Sequence, residues 1–113
     1  FKNSDIISIH IPLNKETEGM ITEEHFKLMK PGAILINTSR PQIINKKHLI
    51  EAIKTRSIAY GQDFLDTELD KLKLDGFNVV TTDHIGGNTV QALEQTRNFI
   101  INKVEQFLQT NKY

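Results

Sequence analysis

The chain has no cysteine among its 113 residues. That removes disulfide frameworks, thiolate zinc sites and cysteine nucleophiles from consideration. The absence fits a reducing compartment, and a cytoplasmic location is expected. Net charge is missing as well, because 14 Lys and Arg balance 14 Asp and Glu. Nucleic acid and anionic membranes are bound through a basic excess, so neither is expected as a partner. There is no run of about 18 apolar residues to span a bilayer. No charged-then-apolar opening segment suggests a signal peptide. No two histidines share a ligand-like spacing such as i, i+4, so no metal is expected. The chain opens on Phe1 rather than Met, and its FKNSD start reads as the interior of something longer.

What is present is a composition that folds, 38% hydrophobic, in short apolar runs separated by turn signals. Asp5–Ile11 predicts a strand buried on both faces, which Pro12 ends. Thr22 is a fitting N-cap for a short helix carrying Phe26, Leu28 and Met29, stopped by Pro31-Gly32. Ala33–Thr38 predicts a second strand, followed by a loop over Ser39–Ile44. Asn45 caps a helix over 46–55 whose Leu49, Ile50 and Ile53 share one face. Ser57–Phe64 predicts a third strand. Leu65–Gly76, with leucines at irregular spacing, reads as a polar loop. Phe77–Thr82 predicts a fourth strand, and Gly86-Gly87 a turn. From Asn88 or Thr89 the longest helix runs to about Gln109. Its Val90, Leu93, Ile100, Val104 and Phe107 line one stripe, and Gln91 makes a partial capping box with Asn88. Short strands alternating with helices imply an α/β fold: a parallel sheet of about four strands with crossover helices and a long C-terminal helix.

In open parallel sheets ligands bind just beyond the carboxyl ends of the strands. The first strand ends at His10-Ile11-Pro12 and the second at Asn37-Thr38-Ser39-Arg40. The third ends at Asp63, followed by Glu68, and the fourth at Asp83-His84-Ile85-Gly86-Gly87. Arg40, Asp63, Glu68 and His84 are therefore expected along one sheet edge. These groups suit reduction of a 2-keto acid. A histidine titrating near neutral pH supplies the proton to the alkoxide. A planar guanidinium matches the substrate carboxylate and keto oxygen. A carboxylate beside the imidazole orients it. No side chain donates hydride, so a nicotinamide is required.

Each residue has a plainer reading. Arg40 is also a loop arginine of the solvated kind. Glu68 sits in an acidic stretch with Asp66 and Asp70. Asp63 also suits the closing of a turn. Gly86-Gly87 also suits a simple turn, or amides facing an anion at a helix N-terminus. His25 and His48 read as surface residues and His10 as structural.

On these residues the chain resembles the NAD-binding domain of the D-isomer-specific 2-hydroxyacid dehydrogenases. SDIISIHIPLNKETEGMI is similar to the family's segment around its H-x-P, and KPGAILINTSR to its next strand and active-site arginine. QDFLDTE resembles the stretch holding a cofactor-binding Asp and a catalytic Glu five residues later. TDHIGGNT resembles the catalytic-histidine signature. The resemblance implies that His84 donates and accepts the proton, Glu68 is its carboxylate partner, and Arg40 holds the substrate carboxylate. It implies NAD contacts at Ile11, Thr38, Ser39, Arg40, Asp63, His84, Ile85, Gly86 and Gly87. The cofactor implied is NAD, with NADP left open.

The Glu68–His84 interval and the His-Ile-Gly-Gly run resemble the phosphoglycerate dehydrogenase branch. Pro41 stands where the family usually has Gly, and Asp83 where Pro usually precedes the histidine. No G-x-G-x-x-G occurs anywhere in the chain. Residues 1–113 are thus expected to be part of a Rossmann-like NAD-binding domain, with its phosphate-binding half and the substrate domain absent. The isolated segment is expected to be inactive and to bind NAD weakly or not at all. Its exposed first strand points to pairing with another copy, as in a homodimer, or to poor solubility. The expected function is an NAD-dependent oxidoreductase acting on a small D-2-hydroxy acid or its 2-keto partner. The alternative is a catalytically silent dehydrogenase-like binding or corepressor module.

Overall fold

The computed structural model describes residues 1–110. Four strands, β1 (Ile6–Ile9), β2 (Ile34–Asn37), β3 (Ala59–Gln62) and β4 (Val79–Thr81), form one sheet in sequential order. Every pairing is parallel, and Ile7, Leu35, Tyr60 and Val79 lie in register across the sheet. Three helices make the crossovers: α1 (Glu23–Leu28), α2 (Lys46–Arg56) and α3 (Thr67–Leu74). α4 (Val90–Thr110) follows the last strand. The four-stranded parallel architecture expected from the sequence is the one observed.

Sequential strand order with crossovers of one hand puts the helices on a single face. The burial pattern shows this directly. Leu35, Asn37, Tyr60, Gln62 and Val79 are buried, whereas their outward neighbours Ile34 and Val80 are exposed. The first strand is expected to be buried on both faces; the structure covers one, with Ile9 buried and Ile6 exposed. The core lies between that face and the crossovers, with Phe26, Met29, Leu49, Ile53, Ile58, Leu69 and Leu72 beneath the strands.

Asn45 caps α2 as expected, its side chain accepting from His48 N at 3.1 Å. The loop before it holds a 3-10 turn over Pro41–Ile43, which Pro41 opens. A proline at the first helical position costs no hydrogen bond, so its lost N–H is tolerated there. Leu65–Gly76 is not the expected loop, because most of it is α3. Asp66 caps it by accepting from Glu68 N and Leu69 N, at 3.0 and 3.1 Å. Leu69 and Leu72, one turn apart, are buried, while Leu65 and Leu74 face solvent. Those two exposed leucines obscured the helical period. The cap of α4 is Thr89 rather than Asn88, with Thr89 Oγ1 accepting from Ala92 N at 3.1 Å. α4 buries none of its residues.

The histidines outside the candidate site serve the scaffold. Nδ1 of His48 accepts from Glu23 N at 3.1 Å, and Nδ1 of His25 from Thr22 N at 3.2 Å. Both are half-buried, with their rings against the N-terminus of α1, rather than free on the surface. His10 Nε2 and Ser8 Oγ share a hydrogen bond of 2.7 Å.

Candidate functional site

The carboxyl ends of the strands hold the polar residues that the sequence placed there. After β2 the chain must turn sharply, and Asn37, fully buried, shapes that turn. Its Nδ2 donates to Arg40 O at 2.9 Å and its Oδ1 accepts from Ser39 N at 3.0 Å. Ser39 Oγ donates to Ile11 O, so the end of β1 is tied to the same loop. The loop thereby presents Thr38 and Arg40 as exposed residues.

Asp63 follows β3 and is almost fully buried. Its carboxylate accepts from Ile85 N at 2.9 Å and Gly86 N at 2.7 Å, and from the Thr82 hydroxyl. The Thr82 hydroxyl and the Gly86 amide hold this carboxyl below its ordinary value against the opposing effect of burial, with help from Ile85 N and the nearby His84. The turn it closes carries His84 in the left-handed region, at φ 51°. Such a conformation is costly for a residue with a Cβ and persists only where surrounding bonds impose it. The anion faced by the Gly86 amide is thus Asp63 itself. A Cβ on Gly86 would lie 2.8 Å from Asp63 Oδ2, so any larger residue there forces the carboxylate to shift.

Phe64, the next residue, links two of the expected groups. Its ring centroid lies 4.6 Å from that of His84, with the planes inclined at 44°. The Arg40 Cζ lies 5.6 Å from the same centroid. Arg40 and His84, distant in sequence, therefore meet on one aromatic ring.

Glu68 is placed differently from the expectation of a carboxylate beside the imidazole. It stands in the first turn of α3, and its Oε2 pairs with Lys46 Nζ at 3.0 Å. Lys46 also contacts Asp66 at 2.8 Å. The physical reason is the cap: Asp66 starts α3 against the first turn of α2, and this brings Glu68 to the Lys46 ammonium. Among the described residues, no carboxylate lies within ion-pair distance of His84.

A groove of about 780 Å³ runs along the bare sheet face to this edge. Its floor includes Ile34, Ile36, Gly61 and Val80, and Thr38, Asp63, Thr82, Ile85 and Gly86 stand in its wall. An apolar trough with a polar end suits a flat, amphipathic ligand. Four expected cofactor positions, Thr38, Asp63, Ile85 and Gly86, thus share one groove. Ile11 and Ser39 are joined by their own hydrogen bond, and Gly87 is exposed with open space where a Cβ would stand. Phe64, Asn37, Thr82 and Lys46 were not singled out from the sequence. For Asn37 there was a signal, a polar residue inside an otherwise apolar strand.

Among the described residues, no helix is long and apolar enough to cross a membrane. The chain is 47% identical over 100 residues to a glyoxylate reductase of Thermococcus litoralis, a match covering 82% of this chain and 29% of that protein. It is 40% identical over 96 residues to a D-3-phosphoglycerate dehydrogenase of Archaeoglobus fulgidus, covering 80% and 18%. The D-lactate dehydrogenase of Aquifex aeolicus, solved with NAD and lactic acid, superposes with a TM-score of 0.70 at 32% identity, covering 97% of this chain and 39% of that one. The chain therefore spans less than a third of the curated reductase it matches. The relatives' names divide among several activities, so the phosphoglycerate dehydrogenase branch is one among them. Residues 1–86 match the D-isomer-specific 2-hydroxyacid dehydrogenase NAD-binding domain, and with these identities the chain belongs to that family.

Proposed function

We propose that this chain is the catalytic-side part of a nicotinamide-binding domain, in a protein that interconverts a 2-keto acid and its D-2-hydroxy acid. The observation that carries this reading is the meeting of Arg40 and His84 on Phe64 at the carboxyl edge of a parallel sheet. Arg40 is exposed, with its Nη1 donating to Ser39 O at 2.8 Å, and its remaining donors suit a carboxylate and an adjacent keto oxygen. His84 donates a proton to the alkoxide in reduction and takes it back in oxidation.

The wall of the groove fits the nicotinamide end of NAD. Asp63 spends Oδ1 on Thr82 and Ile85 and accepts one bond on Oδ2, which leaves acceptor capacity for a carboxamide N–H. Ile85 and Gly86 supply a close backbone, and Thr38 a hydroxyl. Ile11, Ser39 and Gly87 flank that end on the loops beside it. When bound, NAD supplies or accepts the hydride. The chain carries no glycine-rich phosphate loop, so the grip on the pyrophosphate comes from residues other than these.

Glu68 is the carboxylate assigned to His84 in this reading, and to act there it must exchange its Lys46 contact for the imidazole. That same contact favours a second reading, a dehydrogenase-like binding module in which His84 works without a carboxylate partner and partner contacts replace turnover.

The deciding experiment follows NADH oxidation by the protein carrying this segment, using glyoxylate, hydroxypyruvate and pyruvate. Turnover that falls roughly 100- to 10,000-fold in His84→Ala is expected. Equal rates in the variant would remove His84 from the mechanism, and no turnover with any acid would favour the module. The isolated 113 residues should bind NADH weakly or not at all, which a fluorescence titration reads directly.

A further inference from the structure

We propose that Phe64 is a positioning residue, a common seat that holds the Arg40 guanidinium and the His84 imidazole in one arrangement; its catalytic meaning rests on the function proposed above. Arg40 and His84 are both exposed, and neither makes an ion pair among the described residues. Long exposed side chains sample many rotamers, and a reaction that needs two of them at fixed places loses rate to that freedom. One ring answers both needs. A guanidinium over an aromatic face is attracted by the ring's negative quadrupole, and Arg40 Cζ lies 5.6 Å from the Phe64 centroid. An imidazole tilted against a phenyl ring gains packing area and an edge-to-face component, and here the centroids are 4.6 Å apart.

Contact through ring faces spends none of the hydrogen-bonding capacity of either group. The imidazole nitrogens and most of the guanidinium N–H groups stay available to a substrate. A carboxylate partner would hold the same groups only by occupying them.

The seat is itself held. Gln62 Nε2 donates to Phe64 O at 2.8 Å, and Gln62 Oε1 accepts from the Tyr60 hydroxyl at 3.0 Å. Both residues are buried in β3, so the carbonyl of Phe64 is tied to the covered face of the sheet. Its neighbour Asp63 holds the His84 turn from both sides, accepting from the Thr82 hydroxyl before it and from the Ile85 and Gly86 amides after it. Two consecutive residues thus fix His84 twice: Asp63 places its backbone and Phe64 its ring.

The test compares Phe64→Leu, Phe64→Met and Phe64→Tyr with the wild type in the protein carrying this segment. Both aliphatic variants fill the site without an aromatic face. Histidine labelled with ¹³C at Cε1, assigned through His84→Asn, reports the ring current of Phe64 on His84. The wild type and Phe64→Tyr should share the ring-current displacement, and the two aliphatic variants should lose it. In steady-state reduction of a 2-keto acid, the aliphatic variants should raise KM through Arg40 and lower kcat through His84. Together these lower kcat/KM roughly tenfold to a hundredfold, and Phe64→Tyr should restore both. An unchanged His84 signal in folded Phe64→Leu or Phe64→Met overturns the proposal. So does a lost displacement with unaltered kinetics. If the wild type turns over no 2-keto acid, the proposed function fails, and the seating of His84 is judged from the resonance alone.

Discussion

The Gly86 amide donates to Asp63 Oδ2 at 2.7 Å, and the same oxygen stands 2.8 Å from where a Gly86 Cβ would be. Gly86 therefore approaches Asp63 more closely than a side chain allows, and the His84 turn closes on that approach. Gly86→Ala should cost about 1–3 kcal/mol, since Asp63 is buried and its other bonds leave it little room to retreat. Urea unfolding of the variant against the wild type measures this. Gly87→Ala, whose Cβ would meet nothing within 4 Å, should change stability far less.

The acid limb of stability carries the signature of Asp63. Its carboxyl titrates below the ordinary value of 3.8 in the folded chain. A carboxyl depressed by folding contributes its stabilisation fully above the unfolded value and loses it as pH falls through the folded one. Wild-type stability should therefore drop more steeply below about pH 4 than that of Asp63→Asn, which has no charge to lose there. Thermal melts stepped from pH 6 to pH 2.5 make the comparison. Parallel curves for the two proteins would contradict the assignment.

Asn37 is fully buried with both ends of its amide engaged. Asn37→Leu keeps the branched outline and leaves Ser39 N and Arg40 O without that partner. A loss of about 1–3 kcal/mol is expected, together with faster amide exchange at Ser39. Unfolding curves and hydrogen exchange read the two effects separately.

α3 stands on Leu69 and Leu72. Leu69→Ala should cost about 2–5 kcal/mol, whereas Leu74→Ala, 86% exposed, should stay within about 0.5 kcal/mol. Equal effects from the two substitutions would mean that the helix is not docked as described.

The contrast between Leu69 and Leu74 also shows where the sequence was legible. Asn45 capping α2, Thr22 preceding α1 and the Ile-rich strands follow local rules, so chain order and chemistry sufficed to place them. The order of polar strand ends did the same for Arg40, Asp63 and His84. α3 is illegible in the sequence because its cap, Asp66, sits in an acidic run, and only contact with the sheet tells its buried leucines from its exposed ones. The single covered face of the sheet was also hidden. Apolar alternation is blurred when Ile6, Ile34 and Val80 occupy the open side, and the hand of the crossovers decides which side is open.

The family, the parallel α/β elements and the residue types gathered at one edge are legible from chain order, because backbone periodicity, caps and ordered motifs are written locally. The tertiary structure alone decided the partners. It gave Glu68 to Lys46, turned Asp63 onto the backbone of its neighbouring loop, and brought Arg40 and His84 to Phe64. Those choices depend on distances between residues far apart in the chain, which are set only when helices and strands pack.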